Sequence, residues 1–281
     1  MGSIIDVINK RFSNRAYADR KVEDILKKLL MDYILEHCKG PFGNMVRFAF
    51  VEVADGNSSE LKKLGTYSMI KGATLYLSGA VKKGKNSMED FGYCMEAAIL
   101  KATELGISTC WLGGTLNRSS FSKKMDLGQE EVIPAVTPLG YPGDKSSLIV
   151  GLMGMSRGNR NRKSFDELFF ERDINNPLNK KDLGKYGSVL EGVRLAPSAS
   201  NKQPWRVIRD KDKSIFHIYL NEDKIYNNFF KDIKLQNLDI GIAMCHFEFT
   251  ARELGLDGSW ETREPVLNSG NLVYIASWSG K

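Results

Sequence analysis

The chain has 281 residues, 42% of them hydrophobic and 26% charged, with a formal net charge of +6. This composition fits one large soluble domain or two small ones and excludes a disordered or fibrous chain. Mean hydropathy is −0.30, and no apolar run is long enough to span a bilayer, so no membrane partner is expected.

The first residues, Met1-Gly-Ser-Ile-Ile-Asp6, lack the basic-then-apolar layout of a signal peptide. Cys38, Cys94, Cys110 and Cys245 are scattered without a C-x-x-C pair. They indicate a reducing, cytoplasmic setting rather than a disulfide framework. His37, His217 and His246 show no metal-ligand spacing. Lys and Arg are spread along the chain with no nucleic-acid-binding motif, so solvated surface charge is the default reading and an anionic ligand the next.

In chain order, Ser3 followed three residues later by Asp6 predicts a capping box on a helix carrying Ile4, Ile5, Val7 and Ile8. If that helix continues, Arg11 and Arg15 share a face with Ser13 nearby. Two guanidinium forks and a hydroxyl suit a phosphate, although two solvated arginines are the simpler reading of R-x-S-x-R taken alone. Val22–Cys38 reads as an amphipathic helix ended by Gly40-Pro-Phe-Gly-Asn44. Val46–Val53 and Ala73–Ala80 read as strands, with a polar helix over Leu61–Ser68 between them.

Met88–Leu105 reads as a long helix stopped by Gly106. Trp111-Leu112-Gly113-Gly114 follows, where two glycines allow close backbone approach to a flat ligand. Ala135–Pro142 is a third strand. Gly151–Lys163 is rich in Gly, Arg and Asn and reads as a connector. A helix over Leu183–Leu195 leads to the rigid polar loop Ala196-Pro-Ser-Ala-Ser-Asn-Lys-Gln-Pro-Trp-Arg-Val207, which enters a strand at Val207.

The chain also repeats itself. Asp90-Phe-Gly-Tyr-Cys-Met-Glu-Ala through Glu104-Leu-Gly-Ile-Ser-Thr-Cys-Trp111 aligns without a gap with Asp239-Ile-Gly-Ile-Ala-Met-Cys-His through Glu253-Leu-Gly-Leu-Asp-Gly-Ser-Trp260. The helix, turn and strand before each segment correspond too. The expected layout is a first repeat over 1–155, a connector over 156–174 and a second repeat over 175–281, forming one intertwined globular unit.

The loop A-P-S-x-x-N-x-Q-P-W resembles the flavin-binding loop of the nitroreductase family. W-x-G-G at Trp111 and G-Y-P at Gly140-Tyr-Pro142 resemble further motifs of that family. The resemblance covers nearly the whole chain and is to its two-repeat, single-chain members. It implies an α+β fold, a mixed sheet flanked by helices, internally duplicated as a pseudo-dimer. It also implies an FMN-dependent NAD(P)H oxidoreductase passing electrons to a small acceptor, such as a nitroaromatic or quinone. The alternatives are a flavin-storage protein and a flavin-dependent dehalogenase-like enzyme.

By resemblance, Arg11, Ser13 and Arg15 hold the FMN phosphate, although Phe12 stands where the family's start motif has a second Arg. Arg162 or Lys163 supplies a later cation. Pro197, Ser198, Ala199, Asn201 and Gln203 hold the ribityl chain and ring edge. Trp111, Leu112, Gly113 and Gly114 present a backbone N–H to the ring. No side-chain acid is nominated. The first repeat lacks the Ser-x-x-Asn-x-Gln-Pro loop, and the second has Glu261-Thr-Arg263 where the first has its glycines. Complementary losses of this kind leave one complete site per chain, in a monomer or weak homodimer.

Overall fold

The α-helix Ser87–Glu104 and the α-helix Leu235–Glu253 cross at the centre of the molecule, each buried on almost every side. The computed structural model describes residues 2–53, 70–114, 117–143, 161–210, 214–225, 233–263, 265 and 267–281. Its helices are α1 (Ile4–Lys10), α2 (Asp24–Glu36), α3 (Ser87–Glu104), α4 (Arg118–Met125), α5 (Phe165–Leu168), α6 (Tyr186–Leu195) and α7 (Leu235–Glu253). Its strands are β1 (Val46–Glu52), β2 (Leu75–Lys82), β3 (Glu131–Val132), β4 (Val136–Leu139), β5 (Phe169–Glu171), β6 (Trp205–Arg209), β7 (Ile215–Leu220), β8 (Gly258–Glu261) and β9 (Val273–Gly280).

Two sheets flank the crossed helices. In one, β2 pairs antiparallel with β1, β3 and β4. The other runs β5-β6-β7-β9-β8, with β5 parallel to β6 and the remaining pairs antiparallel. Hence the architecture is α+β with a mixed sheet. The core lies between the sheets and the two long helices and includes Phe91, Met95, Trp205, Phe216, Phe247 and Trp278. Side chains of this size each contribute roughly 1.5–3 kcal/mol by leaving water.

The duplication is visible in the backbone. With α4, β3 and β8 set aside as elements that differ between the halves, the order α2-β1-β2-α3-β4 recurs as α6-β6-β7-α7-β9. Gly106 and Gly255, at matching positions after the two long helices, both have positive φ, 79° and 70°. This is the left-handed C-terminal turn that glycine adopts without a Cβ penalty. At the crossing, a Cβ on Gly92 would lie 2.1 Å from the Leu238 carbonyl oxygen, and one on Gly241 would lie 1.9 Å from that of Glu89. In the aligned repeats Glu89 matches Leu238 and Gly92 matches Gly241, so the contact is a local two-fold made within one chain.

Several expectations shift. Ser3 makes no side-chain cap to its own helix. Instead, Glu253 at the end of α7 accepts from Ser3 Oγ (2.9 Å) and from the Ile4 N–H (2.5 Å). An intact capping box forms at Ser164 and Glu167, ahead of α5. The chain leaves helical geometry at Arg11 (φ −63°, ψ 126°). The non-helical backbone that follows bridges at Ser13 in parallel to Thr109, so Arg11, Ser13 and Arg15 do not lie on a helical turn. α2 is shorter than Val22–Cys38, and Leu183–Leu195 divides into a 3-10 turn (Lys180–Leu183) and α6. Phe169–Glu171, inside the expected connector, adds a strand to the second sheet; three residues are too few to show a period. Leu61–Ser68 and residues 151–160 lie outside the described residues.

Candidate functional site

The loop after α6 is held in a costly shape. Pro197 follows Ala196, which turns extended (φ −55°, ψ 142°) and ends the helix. Beyond it, Ser200, Asn201 and Gln203 all have positive φ, between 49° and 55°. Such residues cost roughly 1–3 kcal/mol each and persist only where their surroundings impose them.

The restraints are the loop's own polar side chains. Ser198 Oγ accepts the Gln203 N–H (2.9 Å), and Gln203 Nε2 donates to the Asn201 carbonyl (3.1 Å). Gln203 Oε1 accepts the Lys163 N–H (2.8 Å), and Asn201 Nδ2 donates to the Asn161 carbonyl (2.8 Å). Arg162 donates to Asn201 Oδ1 (2.5 Å) and to the Leu195 carbonyl (3.0 Å). The segment 161–163 thus acts as a clasp over the loop.

Between the loop and the first half of the chain lies a cavity of about 370 Å³. Ser13, Arg15, Ala135 and the Trp111–Gly114 turn line it from the first half. Pro197, Ser198, Ala199 and Ser200 line it from the second, with Leu235, Leu238, Asp239 and Ile242 of α7. Two features fix the turn. Leu112 bridges to Val136 through paired backbone hydrogen bonds (3.0 and 2.9 Å). Arg118 donates to the carbonyls of Gly113 (2.6 Å), Ile133 (3.1 Å) and Pro134 (3.2 Å). Because a trans peptide points its C=O and N–H in opposite directions, engaging the Gly113 carbonyl turns the Gly114 N–H away from Arg118.

Behind this wall is a buried ionic cluster. Glu96 on α3 is fully enclosed. Its Oε2 accepts from Trp111 Nε1 (2.7 Å), and its Oε1 lies 2.9 Å from His246 Nε2 and 3.8 Å from Arg11 Nε. The other ring nitrogen of His246 is 2.9 Å from the Gly192 carbonyl on α6. Glu96 therefore ties the cavity's tryptophan to α7 of the opposite half. Arg11 Nε is buried with no hydrogen-bond partner. Burial, with the neighbouring Arg11 and Arg194 guanidinium groups, lowers the Arg162 pKa to about 10. Arg194 is paired with Glu191 (2.5 Å), which leaves Glu96 as the carboxylate facing both Arg11 and Arg162.

Of the residues singled out in the sequence, Ser13, Arg15, Trp111, Leu112, Gly113, Gly114, Pro197, Ser198 and Ala199 meet at the cavity. Arg11 faces the interior and approaches Glu96. Arg162, Lys163, Asn201 and Gln203 form the clasp and the loop's internal bonds. Sequence reasoning missed Asp239, Glu96, His246 and Arg118. In the sequence Asp90 and Asp239 stand out only as matching letters of the repeat. For Glu96, Asp239 and His246 the available signal is a polar residue inside one of two long, largely apolar helices; Arg118 carries no such signal.

Among the described residues, no helix is long and apolar enough to cross a membrane, and no group of three His, Cys, Asp or Glu side chains is placed to hold a metal ion. The search among curated proteins found no match. Among solved structures, the chain is similar to a putative nitroreductase from Thermotoga maritima, at 18% identity and TM-score 0.61, over 99% of this chain and 93% of that one. It is also similar to an FMN-dependent nitroreductase from Clostridium difficile, at 18% identity and TM-score 0.40, over 50% of this chain and 88% of that one. A third likeness is to a putative NADH dehydrogenase/NAD(P)H nitroreductase from Bacteroides thetaiotaomicron, at 19% identity and TM-score 0.43, over 51% and 89%. The family model described as "Putative TM nitroreductase" matches residues 3–251. With that match over nearly its whole length, the chain belongs to this nitroreductase family.

Proposed function

We propose that the chain is an FMN-dependent NAD(P)H oxidoreductase of nitroreductase type, with one flavin site per chain. The observation that carries this reading is the cavity itself: a strained polar loop from one half faces the Trp111–Gly114 turn of the other. Strained backbone of this kind clusters at ligand sites.

The residues present fit a flavin mononucleotide. A phosphate needs cationic donors, and the structure supplies a buried Arg11 Nε that makes no hydrogen bond and lies 3.8 Å from Glu96, beside Arg162, whose charge burial and like-charged neighbours disfavour. An anion there removes both costs. Arg11, Arg15, Ser13 and Arg162 would hold the phosphate. Pro197, Ser198 and Ala199 would flank the ribityl chain and ring, with Trp111–Gly114 on the opposite side. Lys163, Asn201 and Gln203 would act by keeping the loop in shape.

When bound, flavin supplies two-electron chemistry: it accepts a hydride and passes electrons on. This chain's share is placement. The Gly114 N–H and its neighbours provide fixed dipoles near the cavity, which favour negative charge developing on a ligand there. Leu235, Leu238 and Ile242 exclude water from one wall. We also propose that the repeats divide as 1–155 and 175–281, with residues 161–163 of the connector serving as the clasp.

The test is the visible spectrum of the purified protein, followed by release and identification of any chromophore. About one FMN per chain, reduced by NADH or NADPH and reoxidised by a quinone or nitroaromatic, is the expected result. Protein that is colourless and takes up no added FMN defeats the proposal.

A further inference from the structure

Asp90 and Asp239 occupy matching positions on α3 and α7, and each reaches the loop that precedes the first strand of its own half. Asp90 is saturated: it accepts from the Phe42 N–H (2.9 Å), the Asn44 N–H (2.8 Å) and Asn44 Nδ2 (2.8 Å). A Cβ on Gly40 would meet its carboxylate at 2.3 Å, so the short first-half loop sits directly on it. Asp239 differs. Its Oδ1 accepts the Ala199 N–H (2.9 Å), while its buried Oδ2 has no partner. The residue is 3% exposed and forms part of the cavity wall.

Buried carboxylate oxygens without partners are rare and call for an explanation. Leaving one unpaired is unfavourable, because the oxygen gives up its hydration and gains no replacement. An apolar side chain of similar size would avoid that cost, and Leu235, Leu238 and Ile242 show that this wall is otherwise apolar. Within the matching pair, only the half whose loop frames the cavity leaves an oxygen over.

We propose that Asp239 is a cofactor-binding residue, its Oδ2 accepting a hydrogen bond from an N–H or O–H donor of the molecule in the cavity. The inference rests on the flavin reading above. A flavin offers two such donors, the imide N–H of the ring and the hydroxyls of the ribityl chain. Burial pushes the Asp239 pKa well above the usual carboxylate value, and a donor at Oδ2 offsets that cost by stabilising the charged form. Asp239 then joins the two parts of the site: one oxygen fixes the loop at Ala199 and the other receives the ligand.

The test is flavin titration by fluorescence quenching, with wild type, Asp239→Asn and Asp239→Ala. The ligands are FMN, lumiflavin (which lacks the ribityl chain) and 3-methyllumiflavin (which also lacks the imide N–H). Both variants are expected to bind FMN about 10- to 100-fold more weakly, as for a lost hydrogen bond to a charged group. If the imide is the donor, lumiflavin weakens in parallel in the variants, and 3-methyllumiflavin binds wild type and variants alike. If a ribityl hydroxyl is the donor, lumiflavin is indifferent to the substitutions. Asp239→Asn keeps the size and the Ala199 contact, so it reports binding even where alanine disturbs the fold. Equal FMN affinity in wild type and both variants overturns the assignment alone. A wild type that binds neither FMN nor lumiflavin overturns it together with the flavin reading.

Discussion

Gly92 and Gly241 each press against the other's helix, so that the backbone carbonyls of Leu238 and Glu89 occupy the places where their side chains would begin. A methyl group there meets backbone that cannot move without parting α3 from α7. Alanine at either position is expected to cost about 3 kcal/mol, the upper end for overpacking. Gly113→Ala meets the Leu235 side chain most closely, at 3.0 Å, and that side chain can turn aside. Urea unfolding of the three variants checks this, and a mild Gly92→Ala or Gly241→Ala would mean the helices cross less tightly than described.

The paired aspartates predict opposite effects on the cofactor-free protein. Asp90→Ala strands three donors and is expected to destabilise by about 1–3 kcal/mol. Asp239→Asn is expected to stabilise at neutral pH. Burial raises the folded-state pKa of Asp239 above its unfolded value. Its contribution is therefore fully present only in acid and is lost as pH rises toward the folded value. Asparagine has no such loss. Thermal melts at pH 5 and pH 8 should show the gain growing with pH, and a variant less stable than wild type at pH 8 would contradict this.

The clustered arginines predict a phosphate-specific effect. Arg162→Gln and Arg11→Gln should weaken FMN binding about 10- to 100-fold, as for lost charge-assisted bonds. Riboflavin, which lacks the phosphate, should lose little. Isothermal titration with both ligands separates the cases. Equal losses for the two would assign these arginines to loop support alone.

The sequence shows the regular parts of this molecule clearly. Met88–Leu105 and Val46–Val53 agree with α3 and β1 to within a residue or so, because hydrophobic period and a stop glycine are local signals. The cavity's loop and turn were legible because Pro, Gly and Asn mark special backbone. Other features were not local. Glu253 caps α1 from 249 residues away. Arg11 is turned inward by Glu96, a residue of another helix. Nothing in the letters D-x-G shows that Asp90 is saturated and Asp239 is not. That depends on two loops of different length, each folding over its own helix.

His217 predicts a mild acid sensitivity. It is buried on β7 with Nδ1 2.7 Å from Ser277 Oγ and Nε2 unpartnered. Burial lowers its pKa below the usual value of 6.5. The unfolded chain therefore binds a proton more readily, and stability falls as pH drops through about 6.5. His217→Gln should reduce the difference between unfolding free energies at pH 7.5 and pH 5.5. An unchanged difference would show that His217 stays neutral in both states or gains a partner on protonation.

The crossing of α3 and α7 has a kinetic meaning as well as a geometric one. Where two separate chains make such a contact, dilution pulls it apart, and its strength is tied to protein concentration. Here both partners lie on one polypeptide, so each half meets the other at a fixed effective concentration. The cavity between them closes as a first-order event and survives dilution. Its two walls are also encoded separately, so either can change without altering a two-fold-related copy.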